Sequence, residues 1–595
     1  MRAGRDGRSG PGGPGGGHRA SPGRSLGKWL LIAGLALASV ASFAQTPADI
    51  EAAKRQADIQ LRLEQERLRQ DIGKALPSEQ PPQGIDTGRL APRTDASAAG
   101  AGCHRIREIV ISGAPRLPDA VRADIDARFV GRCLGVAEIE EILGEITRAY
   151  VQRGHIAVRA YLPAQNLASG RLEIMVIEGR VSDIRIDDGG KGSVSVNNIF
   201  PGVGGNVLNL RDLEQGIDQI NRLASNNARL DILPGDQPGE SVVVVHNEPG
   251  PRLHFSVGYD NQGDATTGRY QTGASLGFDN PLGFNDFITV THRETTPGDE
   301  DHRFAGSDSL FYSVPYGYTT ATFGWSRSRY ATPITLPSGL AVVSSGNSIT
   351  THLALDRVVY RDQASRASLG ATLITKRSRN YLDDSFLQVG SRDLTLLELG
   401  GSLTTLAGGG AFQVDAGVTQ GLRAMGALKD ADALPSDAPR AQFRKYRLGG
   451  SYIRPFRLAD HDALFTCQLA GQWAEDVLYG SEQMLIGSLY TVRGFNRNTL
   501  SGDHGYYWRN EASVRFPIRA GETVLAGRAF IAYDQGQVAN RAAGVPSGRL
   551  AGGALGLSVG WKGTSWELFW TRPISGPSGM DLEDTRAWFR VSFSL

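Results

Sequence analysis

A transmembrane antiparallel β-barrel of about 16 strands, preceded by two small α+β units and an N-terminal helix, is the fold class the sequence predicts. Three observations predict it. From about residue 250 to Leu595, helical periodicity vanishes and strand follows strand with apolar and polar positions in alternation. No stretch after residue 45 reaches the run of about 20 apolar residues that a membrane helix needs. The 75 glycines sit among alternating aromatic and β-branched residues, which is the pattern of strands and turns rather than of a disordered chain.

The first segment, residues 1–44, is expected to be a signal peptide. Arg2, Arg5, Arg8, Arg19, Arg24 and Lys28 supply positive charge, Trp29 to Phe43 is apolar, and the small residues Ser42 and Ala44 suit cleavage before Gln45. Residues 45–76 carry a helix signal. Thr46 caps, Pro47 suits the first helical position, and Asp49 completes the cap. Ile50, Ala53, Ala57, Leu61, Leu68 and Ile72 then recur at helical spacing. Periodicity reports one sticky face and not its partner, so a surface or coiled-coil helix and a plug in a polar channel both fit. Residues 77–102, rich in Pro, Ala, Ser and Gly, are a linker. Extended, it would reach up to ~85 Å.

Two α+β units are expected next, over 103–180 and 181–249. In the first, Ile106–Ile111 is a strand, Asp119–Phe129 and Val136–Arg153 are helices, and Ile156–Leu162 and Arg171–Ile177 are strands. The order repeats in the second: strand Val181–Ile186, helices Val194–Ile199 and Leu210–Leu223, strands Ala228–Leu233 and Ser241–His246. Of the three cysteines, Cys103 and Cys133 lie in the first unit. One local pair fits an oxidising compartment, and a bridge there would pin the first helix to the sheet; three unpaired thiols is the other reading.

The barrel is expected over 250–595. Leu253, Phe255, Val257 and Tyr259 take one face; so do Tyr270, Thr272, Ala274, Leu276 and Phe278, then Leu555, Leu557, Val559 and Trp561, and finally Phe589, Val591, Phe593 and Leu595. The other face is small, polar or charged, as a hydrated interior requires. At about 20 residues per strand and loop, this length gives ~16 strands, and in lipid they must close into a ring. Cys467, between Phe465 and Leu469 on the apolar face, is expected to face lipid.

Several segments carry a family resemblance. Asp260-Asn261-Gln262-Gly263, Asp279 through Asp286 (DNPLGFND) and Tyr312 through Tyr318 (YSVPYGY) resemble the early barrel segments of two-partner secretion transporters of the TpsB type, the ShlB-like haemolysin activators. Ser481-Glu482-Gln483, Val492-Arg493-Gly494-Phe495, Leu500 through Asp503 and Tyr506 through Glu511 resemble that family's sixth extracellular loop and its flanking strands. Gly131 through Gly135 and Arg159 through Pro163 resemble its first POTRA domain, and Leu208 through Glu214 the second. The resemblance implies a 16-stranded outer-membrane barrel, two periplasmic POTRA domains and an N-terminal plug helix. It also implies a lumenal loop whose arginine matches Arg493 and whose acidic partner on an inner strand matches Asp534. Parity supports the last point independently, because Ala529, Ile531 and Tyr533 take the opposite face from Asp534. One departure is the end: the family usually finishes on an aromatic residue read by the barrel-assembly machinery, and this chain finishes on Leu595.

The expected activity is export of a secreted TpsA-type partner, an adhesin or haemolysin, across the bacterial outer membrane without ATP, with POTRA edges catching the partner as an added strand. Outer-membrane lipid and, during biogenesis, the barrel-assembly machinery are the other expected partners. No cofactor and no metal are expected. A formal net charge of +1 gives no basic excess for nucleic acid. Catalysis is not expected: His504 beside Asp503 has no nucleophile elbow near it. The alternatives are a general barrel-assembly factor of the same superfamily, which usually carries more POTRA copies, and a passive porin, for which POTRA units would be superfluous.

Overall fold

The computed structural model describes residues 46–75 and 102–595. The expected signal peptide and nearly all of the expected linker lie outside the described residues.

Each α+β unit is a three-stranded sheet covered by helices. In the first, Arg171–Ile177 is the central strand, parallel to Glu108–Ser112 and antiparallel to Arg159–Tyr161. Helices Asp119–Phe129 and Val136–Val151 cover one face and bury Ile125, Ile142, Ile146, Leu172 and Ile174 between the layers. Cys103 and Cys133 are disulfide-bonded, which ties the entering chain to Cys133–Leu134 at the far end of the first helix; such a bridge contributes roughly 2–4 kcal/mol. The second unit repeats the order, with Glu240–Asn247 central between Arg180–Asp187 and Ala228–Pro234, and helix Leu210–Asn221 above.

The helices expected from Val136 and Leu210 end two residues early, at Val151 and Asn221, and two further elements are shorter for a visible reason. Only Arg159–Tyr161 of the strand expected from Ile156 pairs in the sheet. Ile156 and Ala157 instead pack on the core of the second unit, because the units join tightly there. Leu208 donates to the Gly179 carbonyl and Leu210 to the Gly154 carbonyl, both at 2.8 Å. Likewise only Val196–Ile199 is helical where a helix from Val194 was expected. Asp188 accepts from the Ser193 amide at 2.7 Å, and Ser195 donates to Asn285 Oδ1 at 2.7 Å, so side chains claim the amides of that first turn.

From Leu253 onward sixteen antiparallel strands close a ring, the last, Arg586–Ser594, pairing with the first, Leu253–Asp260; a two-residue strand, Ser385–Phe386, folds back on the end of Ser365–Leu382. Leu595 extends the seam, its amide donating to the Phe255 carbonyl at 2.9 Å. The face expected to be apolar points outward: Leu253, Phe255, Val257, Tyr259, Leu276, Leu555 and Leu557 are all exposed. A continuous exposed apolar band of this kind belongs in lipid. Cys467 is on it, accepting a hydrogen bond from Trp508 Nε1 at 2.9 Å.

The second α+β unit is bolted to one end of the barrel through the two short turns singled out in the sequence. Gly317 donates to the Asn198 carbonyl at 2.7 Å, and Asn198 Nδ2 reaches the Phe284 and Pro315 carbonyls at 3.2 Å. Ser225 donates to Asp279 at 2.8 Å, Tyr318 to Asp212 at 2.6 Å, and Arg361 to Asp218 at 2.6 Å. Asn285 holds its turn at φ 57°, a conformation asparagine tolerates better than most residues.

Where the two units meet, Glu178 accepts from the Arg116 guanidinium at 2.5 Å and the Tyr150 hydroxyl at 2.7 Å. Burial pushes its carboxyl up, but those two donors outweigh burial and hold it below the usual glutamate value of 4.5. A depressed folded value stabilises above the unfolded value and ceases to as pH falls through the folded one. Hydrogen exchange of 171–177 in the full chain should therefore show Glu178→Gln less protected than wild type at pH 7, with the difference shrinking below pH ~4. A difference independent of pH would contradict this assignment.

Candidate functional site: the helix and loop inside the barrel

The barrel encloses two guests. The first is helix Pro47–Ala75. Its start is the reciprocal cap expected from the sequence: Asp49 accepts from the Thr46 amide at 3.0 Å and Thr46 Oγ1 from the Asp49 amide at 3.2 Å. The other carboxylate oxygen of Asp49 accepts from the Ser338 amide at 3.0 Å, in a loop at the end of the barrel away from the small domains. Ala53, Ala57 and Leu61 of the expected apolar face are buried, and the side chains of Leu68 and Ile72 lie outside the described residues. Most of the helix's grip is polar. Asp58 pairs with Arg392 at 3.1 Å, Gln60 donates to Thr266 at 3.2 Å, and Arg67, braced by Glu64 of the same helix at 2.7 Å, donates to the Gln262 carbonyl at 3.3 Å. The plug reading of the sequence is therefore the one the structure shows.

The second guest is the long loop between strands His461–Ala474 and His504–Ala520, the sixth at that end. It folds into the lumen. Val492 and Phe495 are buried with Met484, Ile486, Leu500, Val538 and Leu550. Between them Arg493 reaches the wall. Its Nε donates to Asp534 Oδ2 at 2.6 Å and its Nη2 to Asp534 Oδ1 at 2.8 Å, the two-toothed fit of guanidinium to carboxylate. Its backbone amide adds a third bond to Asp534 Oδ2 at 3.1 Å. Asp534 is wholly buried, on the inward face with Phe530 and Ala532, as its parity predicted.

Two wall glycines and one loop glycine let the backbones approach this closely. A side chain at Gly552 would overlap the Arg493 carbonyl, and one at Gly536 would press on Val492. Gly494 has φ 108°, and a Cβ there would lie 2.6 Å from the Arg572 carbonyl. Glu583, from another loop, accepts from the amides of Asn496, Arg497 and Asn498 at 2.8–3.0 Å and so fixes the turn that follows.

Sequence reasoning missed several members of this site. Glu511 accepts from Arg493 Nη1 at 2.7 Å and is also paired with Arg528. Arg509 donates to the Tyr490 and Leu489 carbonyls at 2.9 and 3.2 Å. At the loop's start Glu482 is clasped by Lys376 at 2.6 Å and Lys445 at 3.0 Å. The two guests also touch each other: Arg67 Nε lies 3.3 Å from the Tyr490 hydroxyl, and Gly480 packs directly on Asp58. Parity alone places Arg509 and Glu511 in the lumen; the Glu482 clasp and the Arg67–Tyr490 link needed the fold of the loop.

His504 and Asp503 are engaged structurally. His504 Nδ1 accepts from the Ala474 amide at 3.2 Å, and Asp503 accepts from the amides of Leu478 and Arg541 at 2.9 Å. Among the described residues no group of three or more His, Cys, Asp or Glu side chains is arranged to hold a metal ion.

Comparison with known proteins agrees with this architecture. Residues 104–179 match a ShlB-type POTRA domain and residues 180–234 a POTRA domain. The chain is 33% identical to the outer membrane transporter CdiB of Dickeya dadantii over 85% of its own length and 89% of that protein's. It is 33% identical to the hemolysin transporter protein ShlB of Serratia marcescens, over 76% and 78% of the two chains. The solved structure of CdiB from Escherichia coli superposes with a TM-score of 0.79 at 32% identity, covering 93% of this chain and all of that one. With residues 239–559 matching the haemolysin secretion/activation proteins ShlB/FhaC/HecB, the chain belongs to that family: it is a TpsB-type transporter of the outer membrane, with its POTRA units in the periplasm.

Proposed function

We propose that this transporter captures one secreted exoprotein, of the adhesin or haemolysin type, at its POTRA sheets and passes it unfolded through the barrel without ATP and without chemistry of its own. The observation that carries the reading is the way the lumen is filled. Neither guest is a strand of the barrel wall, and the helix is held chiefly by side-chain hydrogen bonds and ion pairs. Where water enters as the helix withdraws, such bonds exchange at a net cost of only ~0.5–1.5 kcal/mol each, the buried Asp58–Arg392 pair being the exception, so the helix is a removable stopper. The loop is different. Withdrawing Arg493 would leave the buried Asp534 carboxylate with only the more distant Arg509, 3.7 Å away, at a cost on the order of 3–5 kcal/mol. The loop is thus the fixed guest and the helix the mobile one.

Capture is supported by the open sheet edges. Ala228–Pro234 pairs on one side only, with Glu240–Asn247, and leaves its other edge to accept an extended segment. One of the relatives named above, ShlB of Serratia marcescens, is a hemolysin transporter, which supports the passenger class. Folding of the passenger outside the cell supplies the direction of transport.

Arg493→Ala should leave a barrel that inserts and resists heat in detergent gels, yet lower export of a co-expressed partner by ~100-fold or more, given ~1.4 kcal/mol per factor of ten. Normal export by that variant would remove the loop from the mechanism. Gly552→Val, which touches no charge, should give the same phenotype by pushing the Arg493 carbonyl off the wall. If it exports normally while Arg493→Ala does not, the arginine acts other than by docking the loop. In proteoliposomes with a partner protein, depleting ATP should leave export unchanged; a requirement for added ATP would reject the proposal.

A further inference from the structure

Outside the barrel, just past the apolar band at its extracellular end, the strand registers place arginines side by side. Outward positions form rows across neighbouring strands. One row reads Ile288, Tyr312, Phe323, Leu353, Leu373 and Leu397; the next toward the extracellular side reads Val290, Leu310, Trp325, Thr351, Thr375 and Thr395. Apolar residues give way to threonine there, with Trp325 at the border. The following row changes character: His292, Asp308, Arg327, Ile349, Arg377 and Asp393. Above it come Arg329, Asn347 and Arg379. Four arginines on two strands thus face outward in two adjacent rows.

Charges on the lipid face of a barrel cost about 2–4 kcal/mol at the midplane and almost nothing at the interface, so this row marks the headgroup level of the outer leaflet. The carboxylates nearby are largely committed. Asp308, cross-strand from Arg327, accepts from His292 at 2.7 Å. Asp393 takes both arms of Arg379, at 2.8 and 2.9 Å, and lies 3.6 Å from Arg377. Arg329 reaches Glu300 at 3.4 Å. Arg327 has neither a hydrogen bond nor an ion pair among the described residues, and the Arg377 side chain is 66% exposed. The two flank Ile349, so their strands are about 10 Å apart, two strand spacings. Guanidinium groups presented as a pair around an apolar side chain match a phosphorylated headgroup whose acyl chains run down the band below.

We propose that Arg327 and Arg377 form a binding site for the phosphates of an outer-leaflet glycolipid, the lipid A type, with Ile349 and Trp325 against its first acyl carbons. The site is separate from the lumen and plays no part in threading. Its occupant is a lipid, because the row sits at the membrane surface above continuous hydrocarbon-facing residues and not in a solvent cleft.

The test uses the full chain purified in mild detergent, with lipid retention read by native mass spectrometry. Bis-phosphorylated lipid A should be retained by wild type and lost at least about tenfold by the Arg327→Gln/Arg377→Gln double variant, the loss expected for one or two charge-assisted contacts. Arg357→Gln, an exposed arginine near the periplasmic rim, should retain it. On wild type alone, dephosphorylated lipid A should be retained at least about tenfold less than the bis-phosphorylated form, a comparison that holds even if the double variant folds poorly. Millimolar inorganic phosphate should not displace the lipid. Equal retention by the double variant, equal retention of the dephosphorylated lipid, or displacement by phosphate alone would each overturn the proposal.

Discussion

In hydrocarbon no backbone amide or carbonyl goes unpaired, and that single requirement organises this molecule. It forces the last strand, Arg586–Ser594, to find the first, Leu253–Asp260, across more than three hundred residues of chain. Once the ring is closed, side-chain parity is fixed for every strand. Across the height of the hydrocarbon, apolar and aromatic side chains dominate the outward face, and the small and charged ones fall mostly to the inside. A ring of this size encloses more space than its own side chains fill, so the interior needs additional chain. Helix Pro47–Ala75 and the loop around Arg493 are the answer to a volume problem that closure creates.

The two guests are bound by different physics. The Arg493–Asp534 pair is buried, two-toothed, reinforced by a backbone amide and by Glu511, and flanked by an apolar cluster through Val492 and Phe495. In such surroundings the cost of leaving one partner behind exceeds the value of the bond itself. The helix contacts are dispersed along its length, and apart from the buried Asp58–Arg392 pair they are single hydrogen bonds. Their dispersion lets them be broken one after another. The two guests are joined directly where Arg67 Nε donates to the Tyr490 hydroxyl at 3.3 Å.

Much of this was legible in the chain because a strand has an exact period. Alternation through Ala529, Ile531 and Tyr533 put Asp534 inside before any contact was known, and the same count applied to Trp508-Arg509-Asn510-Glu511 puts Arg509 and Glu511 beside it. The sixteen strands follow from length over repeat. What alternation does not encode is the path of a loop. Glu482 meets Lys376 and Lys445 only because a 3-10 turn at Gly480–Glu482 aims it at them, and these residues are more than thirty positions apart in the chain. The helix showed its sticky face but not its location, since a channel wall and another helix reward the same pattern. The α+β units failed locally where tertiary contacts overrode propensity: Ile156 left its sheet for the neighbouring core, and Ser195 gave its amide to Asn285.

The junction with the periplasmic units constrains where motion is permitted. The second POTRA unit is attached through at least two turns and several strands at once, with backbone bonds from Gly317 to Asn198 and buried ion pairs from Arg361 to Glu214 and Asp218. An attachment spread over separate strands resists tilting in every direction, whereas a single tether would hinge. The first unit is in turn locked to the second through backbone bonds from Leu208 to Gly179 and from Leu210 to Gly154, two glycines at which a side chain would strike the Ala157 carbonyl and the Asn209 side chain. A collar this stiff does not swing as one body. Under the proposed capture, the accepting edge must then already face the barrel mouth, and the rearrangement for passage is assigned to the lumenal helix, whose contacts are the more dispersed.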